Sequence, residues 1–253
     1  MGINIITEHR TQDGRSDKLI ALLRVLLPES LKHGGAEEIS IRQNQDDPTD
    51  IISVQRWVSR QAYVDYFAWR TDKGVAAQIE EMLERPVTIR FFDEILHGVL
   101  ADKDMAMKAH GSLGGADPRE GRLKTGINIL TEFKTQPDRL EDLKALLQEL
   151  LPQSLEHGGA EEICIRQNQD DPNDVVSAQR WTSREVYLSY RKWRSDGGTT
   201  ARIQEMLNAP INVRFFNEII FGAPSAELSH HFPKQAAQPA AAPADSNVRY
   251  PLD

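Results

Sequence analysis

The chain has 253 residues, a formal net charge of −8 and a sequence pI near 5.4. This acidic balance argues against non-specific binding of nucleic acid, which depends on clustered cations. Cys164 is the only cysteine, so a disulfide within the chain is excluded and a cytoplasmic location is expected. No stretch approaches 18 apolar residues, and the N-terminus lacks the pattern of a signal peptide.

The first part of the sequence returns 124 positions later without a gap. Residues 2–98 match residues 126–222 at roughly 58 of 97 positions. A repeat of this length indicates a duplicated domain. We therefore expect repeat 1 at residues 1–98, a linker at 99–124, repeat 2 at 125–222 and a disordered low-complexity tail at 223–253.

Both repeats predict the same elements in the same order. Residues 2–11 form a predicted strand, and residues 17–33 a helix whose leucines recur at helical spacing before Gly34 and Gly35 end it. The later predicted elements are a strand at 36–44, a turn at 45–50, a strand at 51–59, helices at 60–70 and near 75–83, and a strand at 86–95. This βαββαβ order is the ferredoxin-like unit.

A single ferredoxin-like sheet carries helices on one face and leaves the other face open. Two copies in one chain can cover each other's open faces. The predicted fold class is therefore α+β, with two ferredoxin-like βαββαβ domains forming a pseudo-two-fold dimeric α/β barrel in one chain.

A run of motifs in each repeat resembles a known family. A leucine-rich helix ends in Gly-Gly, and a strand and an Asp-Asp-Pro turn follow. The next strand ends in Gln55-Arg56-Trp57-Val58-Ser59-Arg60 and leads into an aromatic helix. This pattern resembles the antibiotic biosynthesis monooxygenase (ABM) domain, in both repeats. The resemblance implies a dimeric α/β barrel, and an oxidation of phenolic or quinol compounds by O₂ without metal or flavin.

Two departures from the family pattern bear on its chemistry. The histidine that ABM domains often carry about nine residues after the tryptophan is Tyr66 here, and Tyr190 in repeat 2. Haem-degrading relatives carry a histidine ligand where this chain has Val75-Ala76-Ala77 and Thr199-Thr200-Ala201. Without that ligand, haem binding of this type is not expected.

Aromatic residues recur on one side of the second helix of each repeat. Neighbours three residues apart share a side of a helix. The set comprises Tyr63, Tyr66 and Trp69 with Trp57 nearby, and Tyr187, Tyr190 and Trp193 with Trp181 nearby. The stripe is either an aromatic core or a pocket in which a flat hydroxylated ligand stacks.

Strand alternation predicts a second, polar face on each sheet. It carries Asn4 and Arg42 in repeat 1 and Asn128 and Arg166 in repeat 2, together with further Arg and Glu residues. These charges form either an Arg/Glu network that holds the repeats in register or an anion or phenolate site at the pseudo-two-fold axis.

His33 and His157 lie in the last turn of the first helix of each repeat. A cation there suits the helix dipole, and the alternative role is a general base at a pocket mouth. His9 is replaced by Phe133, so we do not expect it to be needed in both halves. One histidine per repeat is too little to predict a metal site.

The block at residues 42–48, Arg-Gln-Asn-Gln-Asp-Asp-Pro, is unchanged at residues 166–172. Turn chemistry accounts for Asp-Asp-Pro. The preceding polar residues leave open a contact with a ligand or a neighbouring chain.

The resemblance implies a cofactor-independent monooxygenase that oxidises a phenolic, quinol or other acidic-C–H aromatic small molecule with O₂. Catalytic roles are predicted for Asn4, His33, Tyr66, Asn128, His157 and Tyr190. Substrate-binding roles are predicted for Arg42, Trp57, Tyr63, Trp69, Arg166, Trp181, Tyr187 and Trp193. The alternatives are a non-oxidative isomerase, cyclase or decarboxylase and a non-catalytic binding protein. Further assembly into a homo-oligomer stays open.

Overall fold

The computed structural model describes residues 2–99 and 126–224. Repeat 1 contains β1 (Ile3–Arg10), α1 (Ser16–His33), β2 (Ala36–Asn44), β3 (Asp50–Trp57), α2 (Arg60–Asp72), α3 (Val75–Glu80) and β4 (Thr88–Val99). Repeat 2 contains β5 (Ile127–Lys134), α4 (Leu140–Glu156), β6 (Ala160–Asn168), β7 (Asp174–Trp181), α5 (Arg184–Asp196), α6 (Thr199–Gln204) and β8 (Asn212–Gly222). The predicted linker and tail lie almost wholly outside the described residues.

The eight strands form a closed barrel in the order β1-β3-β2-β8-β5-β7-β6-β4. Strand β4 pairs with β1 of its own repeat and then with β6 of repeat 2, and β8 likewise joins β5 to β2. The predicted pseudo-two-fold barrel is therefore confirmed. Strand β4 continues to Val99, beyond its predicted end at 95, because its second half pairs with the other repeat.

Local sequence signals set the ends of the helices over the sheet. Ser59 caps the N-terminus of α2, and its side chain accepts a hydrogen bond from the backbone N–H of Ala62. Gly35 follows α1 with a positive φ of 88°, and a Cβ there would lie 2.8 Å from Cβ of Ala62. Glycine at this position therefore lets the end of α1 and the start of α2 approach each other.

The barrel interior holds apolar residues and a buried ion-pair network. Arg90 bonds Glu8 at 2.6 Å, Glu132 at 2.8 Å and Asp174 at 3.0 Å. Arg214 bonds Glu8 at 3.0 Å and Glu132 at 3.2 Å. Burial raises the pKa of Glu8, but the two guanidinium groups more than offset this and hold the pKa below its usual value. The predicted Arg/Glu network between the repeats is therefore present.

Candidate active site

A cavity of about 940 Å³ lies in repeat 1 between the outer face of the sheet and helices α1, α2 and α3. Most of its wall is apolar. The apolar lining includes Leu23, Leu26, Leu27, Ile41, Phe67 and Ile79. A cavity of this size, with apolar walls and a few polar groups, is typical of small-molecule sites.

Four polar side chains from β1 and β3 form the floor of this cavity: Thr7, His9, Ser53 and Gln55. Thr7 lies opposite Ser53 in the antiparallel pair, and alternate residues of each strand share a face. Trp57 orients the amide of Gln55 by donating from Nε1 to Oε1 at 2.9 Å. The donor end of that amide is thereby left for another acceptor.

Tyr66 also lines the cavity, and a hydrogen-bond network fixes its hydroxyl. The hydroxyl lies 2.8 Å from Ser30 Oγ and accepts from Nε of Arg70 at 3.3 Å. Arg70 is only 4% exposed, and it also donates to the carbonyl of Leu26 at 2.8 Å and to Glu29 at 3.0 Å. The network joins α1 to α2 and holds the phenol at the cavity wall.

His9 is the floor residue with the most unusual environment. Its side chain is buried, and Nδ1 makes no hydrogen bond within the described residues. Burial lowers the pKa of His9 to about 4, and the carbonyl of Ile51 and the charge of Glu8 oppose this shift only in part. The ring is therefore neutral at pH 7, and one of its two nitrogens carries no proton.

Repeat 2 has a cavity of only about 100 Å³ at the equivalent place. Phe133 replaces His9 and belongs to the hydrophobic core there, and Arg191 replaces Phe67 in the lining. The other floor residues recur as Thr131, Ser177 and Gln179. The two repeats therefore share a frame but differ in the space that it encloses.

The predicted aromatic set divides between the cavity and its surroundings. Tyr63 and Tyr66 line the cavity, as Tyr187 and Tyr190 line the smaller one. Trp57 and Trp181 are fully buried in the core beneath them, with ring centroids 4.9 and 4.8 Å from Tyr66 and Tyr190. The stripe thus contributes Trp57 and Trp181 to the core and the tyrosines to the cavity walls.

Trp69 and His33 contact each other outside the cavity. Their ring centroids are 4.7 Å apart, as are those of Trp193 and His157 in repeat 2. Neither histidine lines the cavity of repeat 1 or that of repeat 2, and His33 is exposed at the end of α1.

The predicted polar-face residues lie in the barrel interior, away from the cavity of repeat 1. Arg42 donates from Nε to Ser40 Oγ at 2.9 Å, and Arg166 donates to Cys164 Sγ at 3.3 Å. Burial lowers the pKa of Arg42 to about 10, despite Glu218 nearby. Asn4 shares this interior, and Asn128 lies beside Arg42 and Arg166 in a small polar cavity of about 80 Å³.

The unchanged block at 42–48 comprises the end of β2 and the turn that leads to β3, and it links the two repeats. Asn44 donates to Asp50 at 2.8 Å and accepts from the N–H of Asp46 at 2.9 Å. Asp46 then forms a bidentate pair with Arg184 at the start of α5, at 2.8 and 2.9 Å. Part of the block therefore contacts the other half of the same chain.

Within residues 2–99 and 126–224, no three His, Cys, Asp or Glu side chains are grouped so that they could hold a metal ion. No helix in those ranges is long and apolar enough to span a bilayer.

A family model described as antibiotic biosynthesis monooxygenase matches residues 2–74 and 126–195, more than half of the chain. The chain belongs to this family. The two ABM matches lie one in each repeat, as the sequence motifs predicted. No curated protein matches the sequence.

Solved structures show where this ABM chain lies among known folds. An anthrone oxidase-like protein aligns with a TM-score of 0.70 at 11% identity, over 91% of this chain and 97% of its own. A Fusobacterium nucleatum protein, provisionally named a monooxygenase, aligns with a TM-score of 0.63 at 9% identity, over 88% of this chain and 94% of its own. An uncharacterised ABM-related ferredoxin-fold protein from Listeria monocytogenes aligns with a TM-score of 0.50 at 10% identity, over 87% of this chain and 97% of its own. At these identities the likeness establishes the shared fold alone.

Proposed function

We propose that this ABM protein is a cofactor-independent monooxygenase that oxidises a phenolic, quinol or otherwise acidic aromatic molecule with O₂. The cavity of repeat 1 is the observation that carries the proposal. Its volume of about 940 Å³ accommodates an aromatic molecule of several fused rings, and its walls are largely apolar. Phe67, Tyr63 and Tyr66 offer ring faces and edges against which such a molecule packs.

The polar floor supplies what an anionic intermediate requires. Gln55 presents its amide donor, and Thr7 and Ser53 present hydroxyl groups beside it. Donors that are already oriented in an apolar surrounding stabilise a developing oxyanion more strongly than water does. Family membership and the fold shared with an anthrone oxidase-like protein agree with this chemistry.

The reaction proceeds in steps that balance without an external reductant. A base in the cavity removes a proton from an acidic C–H or O–H group, and the electron pair stays on the substrate as a delocalised anion. The anion gives one electron to O₂, and the resulting radical and superoxide combine into a C–O bond. The peroxide takes a proton. Loss of the second C–H proton with cleavage of the O–O bond then gives a ketone or quinone and water.

Oxygen uptake tests this proposal, with chelator-treated protein of measured metal content and a panel of anthrones and hydroxylated naphthalenes. We expect uptake with a quinone product that gains one atom from ¹⁸O₂, the other appearing in water. Ala76→Phe places a ring in the repeat 1 cavity and should abolish turnover. Thr200→Phe, the matched change in repeat 2, should leave it intact. Equal loss in both variants, or uptake that needs added metal, would contradict the proposal.

The alternative of a non-oxidative enzyme acting on an organic acid depended on the arginines of the polar face. Arg42 and Arg166 lie in the barrel interior, and Arg70 at the cavity is engaged by Tyr66, Leu26 and Glu29. This arrangement lends that alternative no support. Ligand binding without turnover in the oxygen experiment would instead favour a binding protein.

A further inference from the structure

One polar residue of the cavity floor differs between the repeats. Thr7, Ser53, Gln55, Tyr63, Tyr66 and Arg70 all recur in repeat 2. His9 does not, because Phe133 stands in its place. Shared folding requirements account for residues that both halves keep. His9 therefore calls for an explanation specific to repeat 1, which is also the half with the large cavity.

Two of the shared polar side chains are held by structural contacts. Ser30 and Arg70 hold the Tyr66 hydroxyl, and Trp57 holds the carbonyl oxygen of the Gln55 amide. His9 differs because its Nδ1 has no partner in the described part of the chain, although only 6% of the residue is exposed. A buried ring in the lining of a cavity, with one nitrogen that makes no hydrogen bond, is a candidate for a role in chemistry.

Two other charged positions of the lining also differ between the repeats. Glu80 and Arg85 are replaced by Gln204 and Ala209. Glu80 is half-buried and Arg85 is exposed, so neither is a buried group. His9 is thus the buried titratable group that distinguishes the larger cavity.

We propose that His9 is the catalytic base and that the chain carries one catalytic centre, in repeat 1, while repeat 2 serves to close the barrel. This inference rests on the proposed function. The substrate C–H or O–H bond breaks, its electron pair stays on the aromatic system, and the proton passes to a ring nitrogen of His9. The imidazolium and the substrate anion then lie together in the cavity. Their attraction offsets the burial that opposes charging either group alone.

The proton-transfer step can be measured without O₂. Anthrone has an acidic methylene group, so its exchange of hydrogen for deuterium in D₂O under anaerobic conditions reports on the base alone. We expect the wild-type protein to accelerate this exchange, as followed by proton NMR. His9→Phe and His9→Asn should each slow it by about 10²–10⁴-fold, the usual contribution of a general base. Phe133→His is the matched control and should leave the rate unchanged.

Binding measurements distinguish the possible outcomes of the exchange experiment. Quenching of tryptophan fluorescence should show that the wild type and His9→Asn each bind one anthrone per chain. Circular dichroism checks that His9→Asn keeps the fold. Exchange without oxygen uptake would remove the proposed function and leave His9 as the base. Exchange that persists in both His9 variants, or that is absent from wild-type protein with anthrone bound, would overturn the role of His9. Two bound molecules per chain would overturn the single centre.

Discussion

The two repeats build the same frame around very different spaces. Each sheet carries two long helices, a Tyr-Ser-Arg network and a buried tryptophan, yet one repeat encloses about 940 Å³ and the other about 100 Å³. Tyr66 lies 2.8 Å from Ser30, and Tyr190 lies 2.7 Å from Ser154. Residues common to both repeats therefore describe the scaffold, and residues that differ identify the specialised half.

The largest contrast is expected when His9 and its equivalent, Phe133, are each replaced by alanine. Phe133 is packed in the core of repeat 2, so Phe133→Ala should lower the free energy of unfolding by about 3–5 kcal/mol. His9 borders an existing cavity, so His9→Ala should lower the free energy of unfolding by much less. Denaturant unfolding measures both, and equal costs would contradict the assignment of Phe133 to packing and His9 to chemistry.

The ion-pair network should instead affect both repeats alike. Arg90 and Arg214 each bond Glu8 and Glu132 inside the barrel. Removal of either guanidinium leaves buried carboxylates with too little positive charge beside them. Arg90→Ala and Arg214→Ala should therefore each lower the free energy of unfolding by about 3 kcal/mol. Urea unfolding of the two variants, monitored by circular dichroism, tests this prediction. A large effect for only one of them would show that the pseudo-symmetry fails in the barrel interior.

The low pKa of His9 predicts a pH dependence that repeat 2 lacks. Its pKa is about 4 in the folded chain and about 6.5 when unfolded, so the unfolded chain binds the proton more readily as pH falls. The buried neutral ring therefore contributes fully to the free energy of unfolding above pH 6.5. Up to about 3 kcal/mol of that free energy is lost as pH falls towards 4.

The comparison of wild type with His9→Phe isolates this effect, because all carboxylates, including neighbouring Glu8, are common to both. Free energies of unfolding measured from pH 7 to pH 4 should fall more steeply for the wild type. A difference between the two proteins that stays constant with pH would contradict the burial of a neutral imidazole.

The smallest effects concern the serines of the shared network. Ser30→Ala and Ser154→Ala each remove one hydroxyl that contacts a tyrosine and an arginine, at a cost of about 1 kcal/mol. Stability should therefore change equally in both variants. Only Ser30→Ala should also alter turnover, because Tyr66 lines the proposed active site. Steady-state kinetics compared with melting temperatures separates these effects, and a kinetic change in Ser154→Ala would argue for two active halves.

The sequence alone predicted most of the fold but placed fewer of the site residues. Periodicity and the repeat predicted the βαββαβ order, and the need to cover two open faces predicted the barrel. Among the predicted site residues, Tyr63 and Tyr66 line the large cavity, whereas Asn4, Arg42, Trp57, Trp69 and His33 lie elsewhere. The replacement of His9 by Phe133 predicts only that this histidine is not needed in both halves. Its position two residues after Thr7, on the helix-facing side of β1, was a signal that pointed to the cavity.

What the sequence determined by itself was the duplication, the order of elements and the alternation of apolar and polar strand faces, since these depend on local spacing along the chain. Only the tertiary structure decided which equivalent residues surround a void. Cavity volume depends on how far helices stand from a sheet and on which side chains meet in the gap, and residues distant in sequence set both. The exchange of His9 for Phe133 became informative only once that space was seen.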